Sequence, residues 1–404
     1  MPPRRRGPRA RRLVAAAVGL GLLAGCAPTR AAPVPVATGG LLNDESWHDH
    51  AAVPGGRTPP GLVPGADGPF ADMGADALLD LRRLTQDDGA TLAGPVGIWR
   101  YSWPRDAAFA AAALAVTGHD DEAARVLGFM QDAQSPDGSF EARYTLDGAG
   151  PPDDRPRQDD GAGWLLWSAD VATRCPAGTP VQALRPLVVR GTDHLLALTD
   201  GGRRLPPPSP DYWEVEESRT TLGSAAPVLA GLQAGQRLLG RLGEVERAQA
   251  AGAAADRLEL EVAAAFAPRG YQRYATGGGH DAATAMLLPP FVEGGDVDGV
   301  RAALEDYATT ALRPAGGLAP GAGWKQDGTS WTPEVALVAL ASAHVGDEAG
   351  ARRWLAWLDA HRTGWGSLPE KVRADGSPAG PAPLGWTAAG VVLTLAELDD
   401  APRC

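Results

Sequence analysis

Glu214 lies in Asp211-Tyr212-Trp213-Glu214, just ahead of an Ala/Leu-rich stretch, and Glu370 lies in the Gly/Pro-punctuated segment Gly366-Ser367-Leu368-Pro369-Glu370-Lys371. If the two loops meet, their carboxyl groups suit the hydrolysis of a glycosidic bond. One group would protonate the leaving oxygen, and the other would activate water on the far side of the sugar ring. Arg105-Asp106 sets a donor beside an acceptor, a pair suited to vicinal sugar hydroxyls. Trp103, Trp213, Trp331 and Trp386 recur in loops of one kind, and flat aromatic faces pack on sugar C–H faces. Each feature also has a structural explanation. Acidic residues favour the positive end of a helix dipole, Pro104 opens a helix readily, and a single loop Trp is usually core. Four Trp in register point to a stacking wall, and Asp211 and Tyr212 join the candidate contacts through their place beside Glu214.

These residues sit in a repeat. At intervals of about 50–60 residues a polar loop runs into an Ala/Leu-rich stretch. The first three loops are Arg100-Tyr101-Ser102-Trp103-Pro104-Arg105-Asp106, Arg157-Gln158-Asp159-Asp160-Gly161 and Asp211-Tyr212-Trp213-Glu214. The last three are His280-Asp281, Thr329-Ser330-Trp331-Thr332-Pro333-Glu334 and Pro383-Leu384-Gly385-Trp386-Thr387. A period of that length is one helix out and one back. Apolar recurrence near 3.6 predicts twelve helices, at 72–86, 105–117, 119–133, 158–173, 179–199, 219–240, 243–266, 281–290, 295–312, 331–345, 347–361 and 384–399. Alternating Val/Ile-rich runs that would announce strands are absent. Helices that follow the loops carry small residues almost all round, as an inner layer requires, whereas their partners are striped: Ala123, Val126, Leu127 and Met130 face one way and Asp120, Asp121, Glu122 and Arg125 the other. The expected fold is all-α, an (α/α)6 barrel with the polar loops at one end.

Ahead of this pattern, Arg4, Arg5, Arg6, Arg9, Arg11 and Arg12 precede an apolar run from Leu13 to Leu23, too short to span a bilayer comfortably. The segment reads as an export signal over 1–25. It ends in Leu23-Ala24-Gly25-Cys26, similar to a lipoprotein lipobox, which makes Cys26 the expected lipidation site and the protein an exported one, anchored outside the membrane or, with ordinary cleavage, secreted. Residues 26–71 read as a Pro/Gly/Ala-rich tether, interrupted by Trp47-His48-Asp49-His50, and 72–404 as the folded domain. Loss of the six Arg takes the formal charge from −12 to about −18, which argues against nucleic acid as a partner. Cys175 and Cys404 are the remaining cysteines and are open to pairing or to staying free. No zinc spacing is present. Asp153, Asp154, Asp159 and Asp160 are more simply a solvated acidic loop than a Ca²⁺ site, so no metal or cofactor is expected.

Tyr101-Ser102-Trp103-Pro104-Arg105-Asp106, Trp213-Glu214, and Pro369-Glu370 followed by Pro383-Leu384-Gly385-Trp386-Thr387 resemble the glucoamylase-like glycoside hydrolases of family 15, across about residues 72–400. The resemblance implies an (α/α)6 barrel and inverting release of glucose from the non-reducing ends of α-linked gluco-oligosaccharides, a mechanism that implies no cofactor; a monomer is the expected state. It implies Glu214 as general acid and Glu370 as general base, with Arg105 and Asp106 holding the terminal glucose between Tyr101, Trp103, Trp213 and Trp386. The chain departs from the family pattern where Val215 separates Glu214 from Glu216 and Glu217. It also has no Arg for the family's cationic sugar contact before the Trp331 loop, for which Lys325 is the candidate. The family's β-sandwich and starch-binding modules do not appear in the sequence, which favours soluble oligosaccharide over granular starch. An α,α-trehalase or an isomalto-oligosaccharide hydrolase would keep the same pair of Glu; a non-catalytic surface sugar-binding lipoprotein is the alternative of another class.

Overall fold

The computed structural model describes residues 62–175 and 178–399. The expected signal, Cys26, the Trp47-His48-Asp49-His50 segment and Cys404 lie outside these residues. Helices are α1 (Ala71–Leu84), α2 (Pro104–Val116), α3 (Asp120–Ala133), α4 (Gly161–Arg174), α5 (Arg185–Leu198), α6 (Leu222–Arg241), α7 (Val245–Phe266), α8 (Val297–Thr310), α9 (Thr332–His344), α10 (Glu348–Ala360) and α11 (Gly385–Leu398). Between α7 and α8 the chain makes a short 3-10 turn, Ala282–Leu287.

Six of these elements form a closed inner ring. α2 packs on α4, α4 on α6, α6 on the 3-10 turn, the turn on α9, α9 on α11, and α11 again on α2. Each inner element has an outer partner: α3, α5, α7, α8 and α10 follow their own inner elements, while α1 pairs with α11. The sixth hairpin therefore joins the first and last helices of the described chain, and the fold is an (α/α)6 barrel. Ala is what lets the inner helices pack so closely. Ala107, Ala108, Ala110, Ala111, Ala112 and Ala113 are completely buried on α2, and a helix without long side chains can be covered on every face. The outer α3 buries only Ala123, Val126, Leu127, Met130 and the acidic Glu122. That last burial departs from the expected water-facing position: Glu122 turns inward to take the Arg82 guanidinium, whose Nη2 lies 2.8 Å from Oε1.

The eighth expected helix, 281–290, is the principal departure. Asp281 caps it, its carboxylate accepting from the Ala283 N–H at 2.9 Å, but the element ends at Leu287 before Pro289-Pro290. Proline disfavours helical conformation in the residue before it and brings no N–H of its own. Three two-residue strands also escaped the sequence pattern: β1 (Ser330–Trp331), β2 (Lys371–Val372) and β3 (Pro378–Ala379), an antiparallel sheet in the order β1-β2-β3. Trp331 pairs with Lys371 in it, so the sheet fixes the loop that ends in Glu370 against the start of α9.

The packed chain begins earlier than residue 72. The Leu62 N–H donates to the Thr117 carbonyl at 3.2 Å, and the Gly65 N–H donates to the Asp399 carboxylate beyond α11. Cys175, at the end of α4, is disulfide-bonded, which removes the free-thiol alternative for it. No helix among the described residues is long and apolar enough to cross a membrane. Inside the ring, Phe109 is the hub of an aromatic cluster, with ring centroids 5.3 Å from Trp164, 5.1 Å from Trp167, 5.7 Å from Phe291 and 5.7 Å from Trp386. Trp386 belongs both to this cluster and to the cavity above it.

Candidate active site

A cavity of about 250 Å³ opens where α2, α9 and α11 begin. That is just below the range for small-molecule pockets, roughly 300–1,000 Å³. Its lining includes Trp103, Arg105, Asp106, Tyr212, Trp213, Glu214, Trp331, Glu370 and Trp386 from the sequence candidates, together with Trp99, Arg155, Glu334 and Lys371. Both candidate catalytic glutamates thus face one space. Glu216 is exposed, and Glu217 is engaged elsewhere by Arg273 at 2.7 Å and by the Tyr274 hydroxyl. Of the three acids in that stretch, only Glu214 enters the cavity.

Three expected contacts do not line the cavity. Tyr101 sits tilted beside Trp103, and the Arg143 guanidinium lies over both rings, 4.7 and 5.0 Å from their centroids. Asp211 is fully buried behind the cavity, where it accepts from the Trp213 N–H at 2.9 Å, Thr221 Oγ1 at 2.7 Å and Arg273 at 3.0 Å. Its role is to hold the Glu214 turn in place. Lys325 is exposed, its ammonium 5.4 Å from the Trp324 ring. The lysine at the cavity is Lys371, whose Nζ is 3.0 Å from Glu370 Oε2 and 4.2 Å from the Trp331 ring centroid. Lys325 precedes Trp331 in the chain, but only strand pairing brings a lysine beside that ring.

The six loops divide their work. The first, third, fifth and sixth send side chains into the cavity, whereas the second and fourth stand behind them. Asp160, at the start of α4, lies under Arg105 with 4.0 Å between Nη1 and Oδ2, and accepts from the Trp164 indole at 3.1 Å. Asp281 accepts from the Tyr212 hydroxyl and pairs with Arg273 at 3.2 Å. Arg273 itself lies 3.7 Å from the Trp213 ring centroid, so one buried cation joins Asp211, Asp281, Glu217 and the Trp213 face.

Glu214 has a φ of 54°, in the left-handed region, and is one of few non-glycine residues there. A side chain costs energy in that conformation, and such strain collects at functional positions. The turn is closed by the Glu214 N–H donating to the Asp211 carbonyl at 2.8 Å. Arg105 Nη2 approaches Glu214 Oε1 at 3.4 Å, and Arg155, just ahead of the second loop, reaches the cavity and pairs with Oε2.

Burial governs the other carboxyl groups. Asp106 is pushed up to about 6 by desolvation, partly offset by Arg105, and Asp160 is pushed up to about 7 for the same reason. Glu334, in the first turn of α9, is raised to about 8 by burial, with Glu370 and Asp281 adding like charge. Glu370 is raised by burial against the opposing pull of Lys371 and of the Trp99 indole. Glu334 was missed as a site residue because an acid in a first helical turn is common. A signal existed: Trp103 precedes Asp106 by the same spacing at which Trp331 precedes Glu334. The indole N–H groups of Trp103, Trp213 and Trp331 and Glu334 Oε2 are buried without hydrogen-bond partners. The arrangement offers donors, acceptors and flat apolar faces around a space suited to a small polyol. Among the described residues no group of acidic, His or Cys side chains could hold a metal ion: Asp153 pairs with Arg143 and Arg155 instead.

No family model and no curated protein matches the chain. Solved structures do. A wild-type glycosidase aligns with a TM-score of 0.70 at 22% identity, over 81% of this chain and 96% of that one. A variant glycosidase in complex with glucose gives 0.71 at 22% identity with the same coverage. A bacterial glucoamylase complexed with acarbose gives 0.67 at 16% identity, covering 81% of this chain and 55% of that chain. These likenesses concern the fold.

Proposed function

We propose that this chain is a glycoside hydrolase that releases glucose from the non-reducing ends of α-linked gluco-oligosaccharides with inversion. The observation that carries the reading is the convergence of Glu214 and Glu370 on one small cavity that holds Arg105, Asp106 and a wall of Trp. Trp386 joins the cavity to the aromatic cluster beneath it, and a space of about 250 Å³ suits a chain terminus better than the middle of a polymer. The complexes that similar folds form with glucose and acarbose agree with this ligand class. Arg105 and Asp106 would bind the terminal hydroxyls. Glu370, beside Lys371 and the Trp99 indole, has the support an anion needs to draw a proton from water. Glu214, on its strained turn, would protonate the leaving oxygen while the half-exposed Arg155 gives way to the leaving sugar.

A second assignment within the same chemistry has an observation in its favour. Burial favours the acid form of Glu370, while Glu214 sits beside the guanidinium groups of Arg105 and Arg155, and in this assignment the roles are exchanged. One experiment addresses both points. Maltose, isomaltose, trehalose and dextran are offered to the wild type with NMR detection of fresh product, and E214Q and E370Q are assayed on the best substrate and on α-glucosyl fluoride. The expected result is initial β-glucose and losses of several orders of magnitude in both variants on the sugar. Fluoride needs little protonation to leave, so the acid's variant keeps far more activity on the fluoride than the base's variant does. Glucose released at wild-type rates by either variant would sink the assignment, and α-glucose as the first product from α-glucosyl fluoride, where the leaving group is not itself a glucose, would exclude inversion. We further propose export with lipid attachment at Cys26, to be tested by the mass of the mature N-terminus.

A further inference from the structure

Glu334 is 2% exposed, lines the cavity and leaves Oε2 without a hydrogen-bond partner. A buried polar atom aimed into a cavity costs free energy unless something that enters the cavity pairs with it. The groups facing it explain why it does not pair within the protein. Glu370 and Lys371 approach from the β2 side, Asp281 from the 3-10 turn, Tyr307 from α8, and Arg105 and Asp106 from the start of α2. Arg105 turns its Nη2 to Asp106 and Glu214, its Nε and Nη1 make no hydrogen bond to Glu334, and Lys371 pairs with Glu370. What remains near Glu334 is largely like charge. Its own first-turn backbone N–H is the one hydrogen-bonding contribution that favours its anion.

We propose that Glu334 works as a neutral carboxylic acid that donates a hydrogen bond to a hydroxyl oxygen of the bound sugar. The inference rests on the hydrolase reading and deepens it, since it gives the cavity a third carboxyl with a task separate from bond cleavage. A sugar that fills the space expels the remaining water, so binding disfavours an ionised Glu334 still further and is linked to its protonation. Sugar binding should therefore take up a proton at alkaline pH.

The test is D-glucose binding, followed by Trp fluorescence from pH 6 to 9.5 for the wild type, E334Q and E334L. The wild type should bind progressively more weakly above about pH 8, by up to tenfold per pH unit. E334Q, which keeps a donor at every pH, should stay within about threefold of the wild type at pH 7 and lose the alkaline weakening. E334L should bind about tenfold more weakly at pH 7, the loss expected when a buried donor goes. Wild-type binding that E334L leaves unchanged, or alkaline weakening that survives in E334Q, would overturn this inference alone. A wild type that binds neither glucose nor any sugar of the substrate panel would overturn the hydrolase reading along with it. Carboxyl ¹³C shifts report the acid directly: a Glu signal lost in E334Q should titrate near 8, and one that titrates near 4 would overturn the proposal even if sugar binds.

Discussion

At the scale of single residues, Glu214 concentrates the conflict between stability and chemistry. Its φ of 54° is a conformation in which Cβ crowds the backbone, and the turn keeps it because Asp211 holds both ends of the loop. The consequence can be separated from the loss of the carboxylate by comparing two variants that both lack it. E214G should be more stable than E214A by about 1 kcal/mol, the reverse of the usual ranking, because glycine adopts this conformation without strain. Denaturant unfolding of the two variants checks this, and equal stability would mean the turn relaxes once its side chain is cut back. Neither variant should turn over substrate. The sequence made Glu214 legible because it directly follows Trp213 in a repeated loop. It did not distinguish Asp211, which supports the turn from behind, from residues that reach the cavity, because support and contact draw on the same residue types. Lys325 misled for a different reason: distance along the chain says little about which lysine a strand pairing delivers.

Among elements, the ring closes only where helices approach without side chains between them. α4 and α6 meet at Gly163 and Gly231. A Cβ added at Gly163 would lie 2.1 Å from the Pro227 carbonyl oxygen, and one at Gly231 would lie 2.5 Å from the Gly163 Cα. G163A must therefore push α4 off α6, at a cost of about 2–3 kcal/mol, although alanine is the better helix former. G128A on the outer α3 is the control: its Cβ meets nothing within 4 Å, so it should be neutral or stabilising by up to about 1 kcal/mol. Thermal unfolding of the pair distinguishes close approach from propensity, and a stabilised G163A would contradict the packing described. Because α4 begins at the Asp160 that lies under Arg105, the same change should weaken sugar binding. Periodicity revealed eleven of the expected helices to within a few residues at most ends. It failed at 281–290, where the apolar spacing is helical but Pro289-Pro290 stops the element, and at β1, β2 and β3, where two residues are too few for an alternating pattern to register.

For the molecule as a whole, the buried carboxyls in and behind the cavity tie folding to pH in an unusual direction. Asp106, Asp160 and Glu334 are buried and pushed up to about 6, 7 and 8, whereas in an unfolded chain such groups titrate near 4. Between those limits the folded chain holds protons that the unfolded chain has released. Stability from these groups is therefore present at mildly acidic pH and is lost as pH rises through their folded values, with a slope of about 1.4 kcal/mol per pH unit for each carboxyl protonated only when folded. The formal charge of −12 acts the same way, since acidification relieves self-repulsion. Asp137, Asp147 and Asp375 are lowered by hydrogen bonds from neighbouring Ser and Thr residues, so they oppose the trend only below about pH 4. His119 and His194, lowered by burial, oppose it up to about pH 6.5 and leave the carboxyls unopposed above that. Unfolding free energies at pH 5.5, 6.5, 7.5 and 8.5 should fall steadily with pH in the wild type and less steeply in E334Q, most visibly above pH 6.5. A flat or rising profile above pH 6.5 would mean that these carboxyls are ionised in the folded chain, with Arg105 alone set against Asp106 and Asp160.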